Sequence, residues 1–170
     1  HNQVFDVIRS VGGDKALSTN QTIAEYGFSD FDFLNNGFNA PYSSSASYSC
    51  NTNSATYVAW CWKAGGAAVT NTNGNITSSV SVNEEAGFSI VSYTGNGSNG
   101  QTVGHGLSKA PQWIMLKSRT AGSNWRVWQH KQASDGSKRL LLDATNASED
   151  ASFLNDTAPS STVFTLGNSD

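Results

Sequence analysis

The groups in this sequence that could do chemistry are three histidines, two cysteines and thirteen carboxylates. The histidines, His1, His105 and His130, stand far apart. A zinc site draws several His, Cys or carboxylate ligands together at tight spacing, and His105 has no such neighbour in sequence. It sits between Gly104 and Gly106, so Gly104, His105 and Gly106 read as a structural loop. The ring is expected to hydrogen-bond backbone across the glycine turn rather than act as an acid or base. Asp6 and the pair Asp30-Phe-Asp32 could offer oxygens to calcium, but the rest of a calcium loop is missing. A glycosidase needs paired carboxylates from separate strands, and Glu25, Glu84, Glu85 and Glu149 all lie in polar runs that read as solvated. Neither a Gly-x-Ser-x-Gly elbow nor a phosphate loop occurs. The sequence therefore points to no catalytic residue, no metal site and no cofactor.

Two other residue types could serve a site. Trp113, Trp125 and Trp128 could stack on sugars, as flat aromatic faces do, with Trp60 and Trp62 in the core. A sandwich of this size also needs aromatic mass, and all five then belong to the core or to contacts between subunits. Cys50 and Cys61 say little about compartment. A hairpin turning near Asn53 would set Cys61 opposite Ala46, so a disulfide would need a different pairing. Otherwise both are free thiols, with Cys61 a small core residue.

The elements that must position these groups are strands. Gly87 to Lys117 organises the reading. Phe88, Ile90, Val91 and Tyr93 have β-branched and aromatic character and predict a strand. Gly95, Gly97 and Gly100 end it, and Pro111 cannot donate to a ladder, so the next strand starts at Trp113. The two strands are expected to form the centre, joined by a glycine-rich loop. Thr56 to Lys63 is apolar on both faces and predicts a second central strand. The predicted core is Val58, Trp60, Phe88, Ile90, Ile114 and Leu116. Shorter strands are expected at Lys15–Thr22, Tyr26–Phe33, Arg139–Asp143 and Ser161–Leu166, and Val4–Ile8 reads as a strand or one turn of helix. Turns are expected at Val11–Asp14, Asn35–Gly37 and Ser134–Ser137. Ser43–Ser54 reads as an exposed serine-rich loop, and Ser148–Leu154 as the one place for a short helix.

Composition agrees with an all-β chain. Charged residues are only 14% of 170, while Ser, Thr, Asn and Gly dominate. Those residues disfavour helix. Five Trp, five Tyr and eight Phe supply a core and argue against disorder. The fold class is all-β, an antiparallel, jelly-roll-like β-sandwich. The net charge of −3 and the scattered basic residues speak against nucleic acid. No apolar run is long enough to span a membrane as a helix. His1 reads as a cut or mature start.

The two ends of the chain resemble each other. Val4 falls on Val127, an offset of 123 residues, and at that offset Gly13 meets Gly136, Lys15 meets Lys138 and Leu17 meets Leu140. Thr22 then meets Thr145, and Ala24 meets Ala147. Shifted by three, the Phe38 region resembles Val163–Gly167. Such spacing argues for a duplicated half. Residues 1–64 read as the C-terminal part of one repeat unit, 65–86 as a linker or surface excursion, and 87–170 as the N-terminal part of the next. The whole is expected to pack as one domain, cut from a longer tandem array.

Five phrases carry a further resemblance. They are Tyr57–Lys63, Gly87–Gly95, Val103–Leu107, Ala110–Lys117 and Thr157–Gly167. Together they resemble a domain common in virion proteins of marine tailed bacteriophages, where it occurs, often repeated, in tail-fibre-like and other structural proteins. The likeness covers nearly the whole chain, with Tyr42–Ser54 its least typical part. It implies a sandwich-like fold and supplies no catalytic residues. The expectation is a non-enzymatic structural or adhesion module of the phage particle: tail fibre, appendage or capsid decoration. Its partners would be itself, as a homo-oligomer, other virion proteins and a host surface glycan. The alternative is a lectin-like carbohydrate-binding module of a secreted or cell-surface protein.

Overall fold

The computed structural model describes residues 2–9, 15–28, 30–40 and 49–167. His1, the expected turn at 11–14 and the stretch 41–48 of the serine-rich loop lie outside them. The described residues hold strands and no helix. The first strands are β1 (Gln3–Val4), β2 (Lys15–Ser18), β3 (Tyr26–Gly27), β4 (Asp32–Leu34) and β5 (Gly37–Asn39). The middle of the chain holds β6 (Val69–Asn71), β7 (Ser78–Asn83), β8 (Phe88–Tyr93), β9 (Gln101–Gly104) and β10 (Trp113–Leu116). The last are β11 (Arg126–Gln129), β12 (Lys138–Leu141), β13 (Glu149–Asp150) and β14 (Val163–Leu166).

The sheets run β1-β2-β3, β4-β5, β6-β7-β8, β14-β9 and β10-β11-β12-β13. All these pairs are antiparallel, and an isolated parallel bridge joins Ile76 to Val103. The fold is all-β and sandwich-like. Its main core takes Ile114 and Trp128 from one sheet and Val103 and Phe164 from the β9–β14 pair, with Phe153 and Leu154 from the loop before β14. Val91 and Tyr93 of β8 close the same core. A smaller core gathers Ala16, Phe28 and Phe31, with Phe5, Tyr26 and Cys50 against it. There the Phe5 and Phe31 rings stack at 3.8 Å.

The repeat is visible in the pairing itself. Gln3 pairs with Ser18 and Val4 with Leu17. At the sequence offset these become Arg126 with Leu141 and Val127 with Leu140, the pairs observed. Likewise Lys15–Gly27 and Ala16–Tyr26 become Lys138–Asp150 and Arg139–Glu149. The register is preserved residue by residue across three strands. The closing bond is preserved too: Thr19 N–H donates to Asn2 O at 2.9 Å, and Leu142 N–H to Trp125 O at 3.0 Å. A one-residue slip would turn every side chain to the other face, so matching residues keep matching places in the two ladders, although Leu17 is buried and its counterpart Leu140 is 37% exposed. Phe5 and Trp128 occupy equivalent core positions, as do Phe31 and Leu154.

Four expectations are corrected. Thr56–Lys63 is extended but belongs to no sheet, and Val58 and Trp60 are 79% and 78% exposed. A strand needs a neighbour to pair with, and this segment has β character without one among the described residues. The region 65–86 is no mere linker, because it contains β6 and β7, and β7 pairs along all of β8. Its serines are buried there because their hydroxyls find carbonyls: Ser78 donates to Gly104 O at 2.9 Å and Ser81 to Gly66 O at 2.7 Å. Next, the stretch joining β8 to β10 is more than a glycine-rich loop: it carries β9, which pairs with β14, while β8 and β10 sit in different sheets. Finally, Ser148–Leu154 forms β13 and a turn instead of a helix, since Glu149 and Arg139 pair across the ladder and through an ion pair at 2.7 Å. Of the remaining predicted core, Ile114 is buried, while Phe88, Ile90 and Leu116 are half-buried.

Candidate functional site

The most constrained loop is the one around His105. β9 ends at Gly104, and His105 is 2% exposed. Its backbone N–H donates to Thr162 O at 3.1 Å. The ring spans the turn in two directions. Leu107 N–H donates to Nδ1 at 3.1 Å, so Nδ1 is an acceptor and the proton sits on Nε2. Nε2 then donates to Ser160 O at 3.2 Å. Burial holds the imidazole below its usual pKa, and the Ser160 bond only partly opposes this. A neutral ring with both nitrogens engaged by backbone has no free lone pair for a substrate. The flanking glycines are needed for space. A Cβ on Gly104 would run into the Asn71 side chain, and Gly106 has φ +76° with Val80 Cγ1 only 2.9 Å from where its Cβ would be. His105 therefore ties β9 to the segment that launches β14.

The tryptophans separate into two groups. Trp125 and Trp128 are buried, at 5% and 1% exposure, and cannot stack on a sugar. Trp125 Nε1 donates to Ser18 O at 2.6 Å and Trp128 Nε1 to Ala133 O at 2.7 Å, so each indole N–H is used internally. Trp113 is 54% exposed, beside Met115 on the outer face of β10. Of the three candidate stacking residues it alone offers a face. Trp60 and Trp62, expected in the core, are exposed. Trp62 stacks on Phe88 with centroids 6.2 Å apart.

The carboxylates are spoken for or solvated. Asp6 accepts from the N–H groups of Ile8 and Arg9 and pairs with the Arg9 guanidinium. Asp30 and Asp32 are exposed and face no third ligand; among the described residues no cluster of His, Cys, Asp or Glu could hold a metal ion. Glu25 is the exception that sequence reading placed in solvent. It is bound by Arg119 at 2.9 Å and Arg9 at 3.4 Å. Burial pushes its pKa up, but the Arg119 hydrogen bond and the charges of Arg119 and Arg9 outweigh this and hold it below the ordinary value. No local pattern marks that triad, because Arg119 arrives from the other half of the chain. Cys50 and Cys61 are free thiols. Cys50 Sγ contacts Gln3 Oε1, and Cys61 is exposed rather than in the core.

The arrangement offers a scaffold pinned by polar contacts and, on its surface, an apolar stretch at Tyr57–Trp62. Sequence reading took that stretch for a central strand. Comparison with curated proteins and with solved structures returns no match. The family model described as a domain of unknown function, DUF7483, matches residues 1–170, and the chain belongs to that family.

Proposed function

We propose that this chain is a non-enzymatic structural and adhesion module of a tailed-phage particle, present in many copies in a tail fibre, appendage or capsid decoration. The observation that carries the reading is the duplicated three-strand unit, with the same register in both halves. Repeats of this kind build extended arrays, because each unit buries surface against its neighbour. The polar contacts fit the role, since His105, Trp125 and Glu25 all spend their chemistry on holding backbone or on joining the halves. The resemblance of the five phrases to phage virion proteins supplies the setting. Ladders give durability, the polar loops are free to vary against different host surfaces, and symmetry multiplies weak contacts into avidity. Residues 1–64 and 87–170 are then parts of consecutive units of a tandem array.

A carbohydrate-binding module is the second reading, and the exposure of Trp113 favours it. Quantitative mass spectrometry of purified particles tests the first: the protein should be found at many copies per particle. A soluble monomer missing from particles and cleaving a glycan would overturn it. Tight binding on a glycan array, abolished by Trp113→Ala, would favour the second.

A further inference from the structure

We propose that Thr56–Lys63 is a self-pairing strand, which joins the same segment of a second copy of this chain in an antiparallel ladder centred on Trp60. The proposal rests on the reading of the chain as a many-copy module and names the surface by which copies meet.

The segment is an arm. Its C-terminal end is fixed to the body: Asn83 Nδ2 donates to Lys63 O at 3.1 Å, Ser81 Oγ reaches Gly66 O, and Trp62 stacks on Phe88. Gly65 lies so close to Val82 that no Cβ fits between them. Beyond that anchor Thr56–Trp62 belongs to no strand, and among the described residues its backbone makes no hydrogen bond to another backbone group. Yet its residues are strong strand formers, and an extended segment with open N–H and C=O groups is a template for another strand.

The segment exposes much apolar surface. Val58 is 79%, Trp60 78%, Trp62 60% and Tyr57 55% exposed. At roughly 200 Å² per aromatic side chain, these four residues show on the order of 500 Å². Pairing would cover part of this surface in each copy, where Val58, Trp60 and Trp62 of one lie against those of the other. An apolar patch of a few hundred Å² on one chain is of the size often used for contacts.

The pattern is complementary to itself. With Trp60 opposite Trp60, Val58 lies opposite Trp62, and these three residues of both copies form one apolar face. On the other face Ala59 meets Cys61, and Tyr57 meets Lys63. No charge lies between Thr56 and Trp62, and the single cation is set beside an aromatic ring instead of against its twin. The contact is isologous and closes as a two-fold pair.

Sedimentation of the purified full chain across a concentration series tests this. A concentration-dependent dimer is expected. Trp60→Ser should weaken it at least roughly thirtyfold, the scale of a central Trp anchor, with an unchanged urea midpoint for the fold. Ala59→Cys sets a thiol opposite the partner copy's Cys61 and should give a covalent dimer on mild oxidation. Val58→Cys, on the opposite face, should not. A chain that stays monomeric throughout, a dimer indifferent to Trp60→Ser, or equal cross-linking by both cysteine variants would overturn the proposal. Because the measurement needs no particles, the pairing can fail while the virion reading stands, and the reverse.

Discussion

Replacing His105 by Ala removes two hydrogen bonds at once and leaves two backbone groups without their partners. Ser160 is exposed, so water can take over its carbonyl. Leu107 is only half-exposed, and its N–H has lost the Nδ1 acceptor. One partly buried orphan and the void left by the ring add to about 2–4 kcal/mol. Urea unfolding of both proteins at pH 8 measures this. The pH dependence then tests the cause. The folded state holds the ring neutral, with its pKa depressed by burial, whereas in the unfolded chain the ring takes up a proton near about 6.5. The unfolded state therefore binds more protons in the window below that value, and the stabilisation due to His105 is full above about pH 6.5 and is lost as pH falls towards the folded-state pKa. The wild-type advantage over His105→Ala should be largest at pH 8 and shrink on acidification. An advantage that is flat or grows as pH falls would refute the neutral, backbone-tied imidazole.

Two further substitutions probe the frame. Ile114→Ala opens a cavity in the main core and should cost about 2–5 kcal/mol in thermal or urea unfolding, and a loss below about 1 kcal/mol would mean that β10 is peripheral. Trp125→Phe keeps the ring but removes the donor to the buried Ser18 carbonyl, and should cost about 1–3 kcal/mol by the same measurement. A neutral result would mean that the two halves do not depend on this bond.

The legible part of the fold was what local chemistry and spacing determine. The all-β class followed from residues that disfavour helix, and the register of the two halves from matched residues at one offset. β8 and β10 were found because β-branched and aromatic runs there end at glycine or start after proline. What failed was everything that depends on a distant partner. Thr56–Lys63 has the strongest strand composition in the chain and still forms no strand, because among the described residues no sheet edge pairs with it. β7, by contrast, reads as serine and valine with little apolar bulk, yet it is central, because β8 pairs with it throughout and carbonyls of Gly66 and Gly104 accept its buried hydroxyls. The candidate site divided in the same way. The glycine-flanked His105 was visible in sequence as a structural turn. The burial of Trp125 and Trp128, and the exposure of Trp60, Trp62 and Trp113, depended on which faces the sheets cover.

The joint between the halves decides how far one half depends on the other. Glu25 N–H donates to Arg119 O at 2.9 Å and Ser123 N–H to Thr22 O at 2.7 Å, so main chain meets main chain across the joint. The Arg119–Glu25 pair is half out in water at the arginine, 42% exposed, and contributes little by itself. Its carboxylate, however, is 11% exposed and also bound by Arg9, so three charges from both halves share one site. Trp125 adds a fully covered bond to Ser18. The contacts that cross the joint fall between residues 18–25 and 119–125, the connections that follow β2 and β10. Each half has its own small core, and either alone would be marginal at this size. Coupling through the joint makes opening one half cost contacts in the other, which is the nearest-neighbour term that gives tandem arrays their cooperativity. The joint therefore couples the stability of the two halves through backbone bonds and one indole.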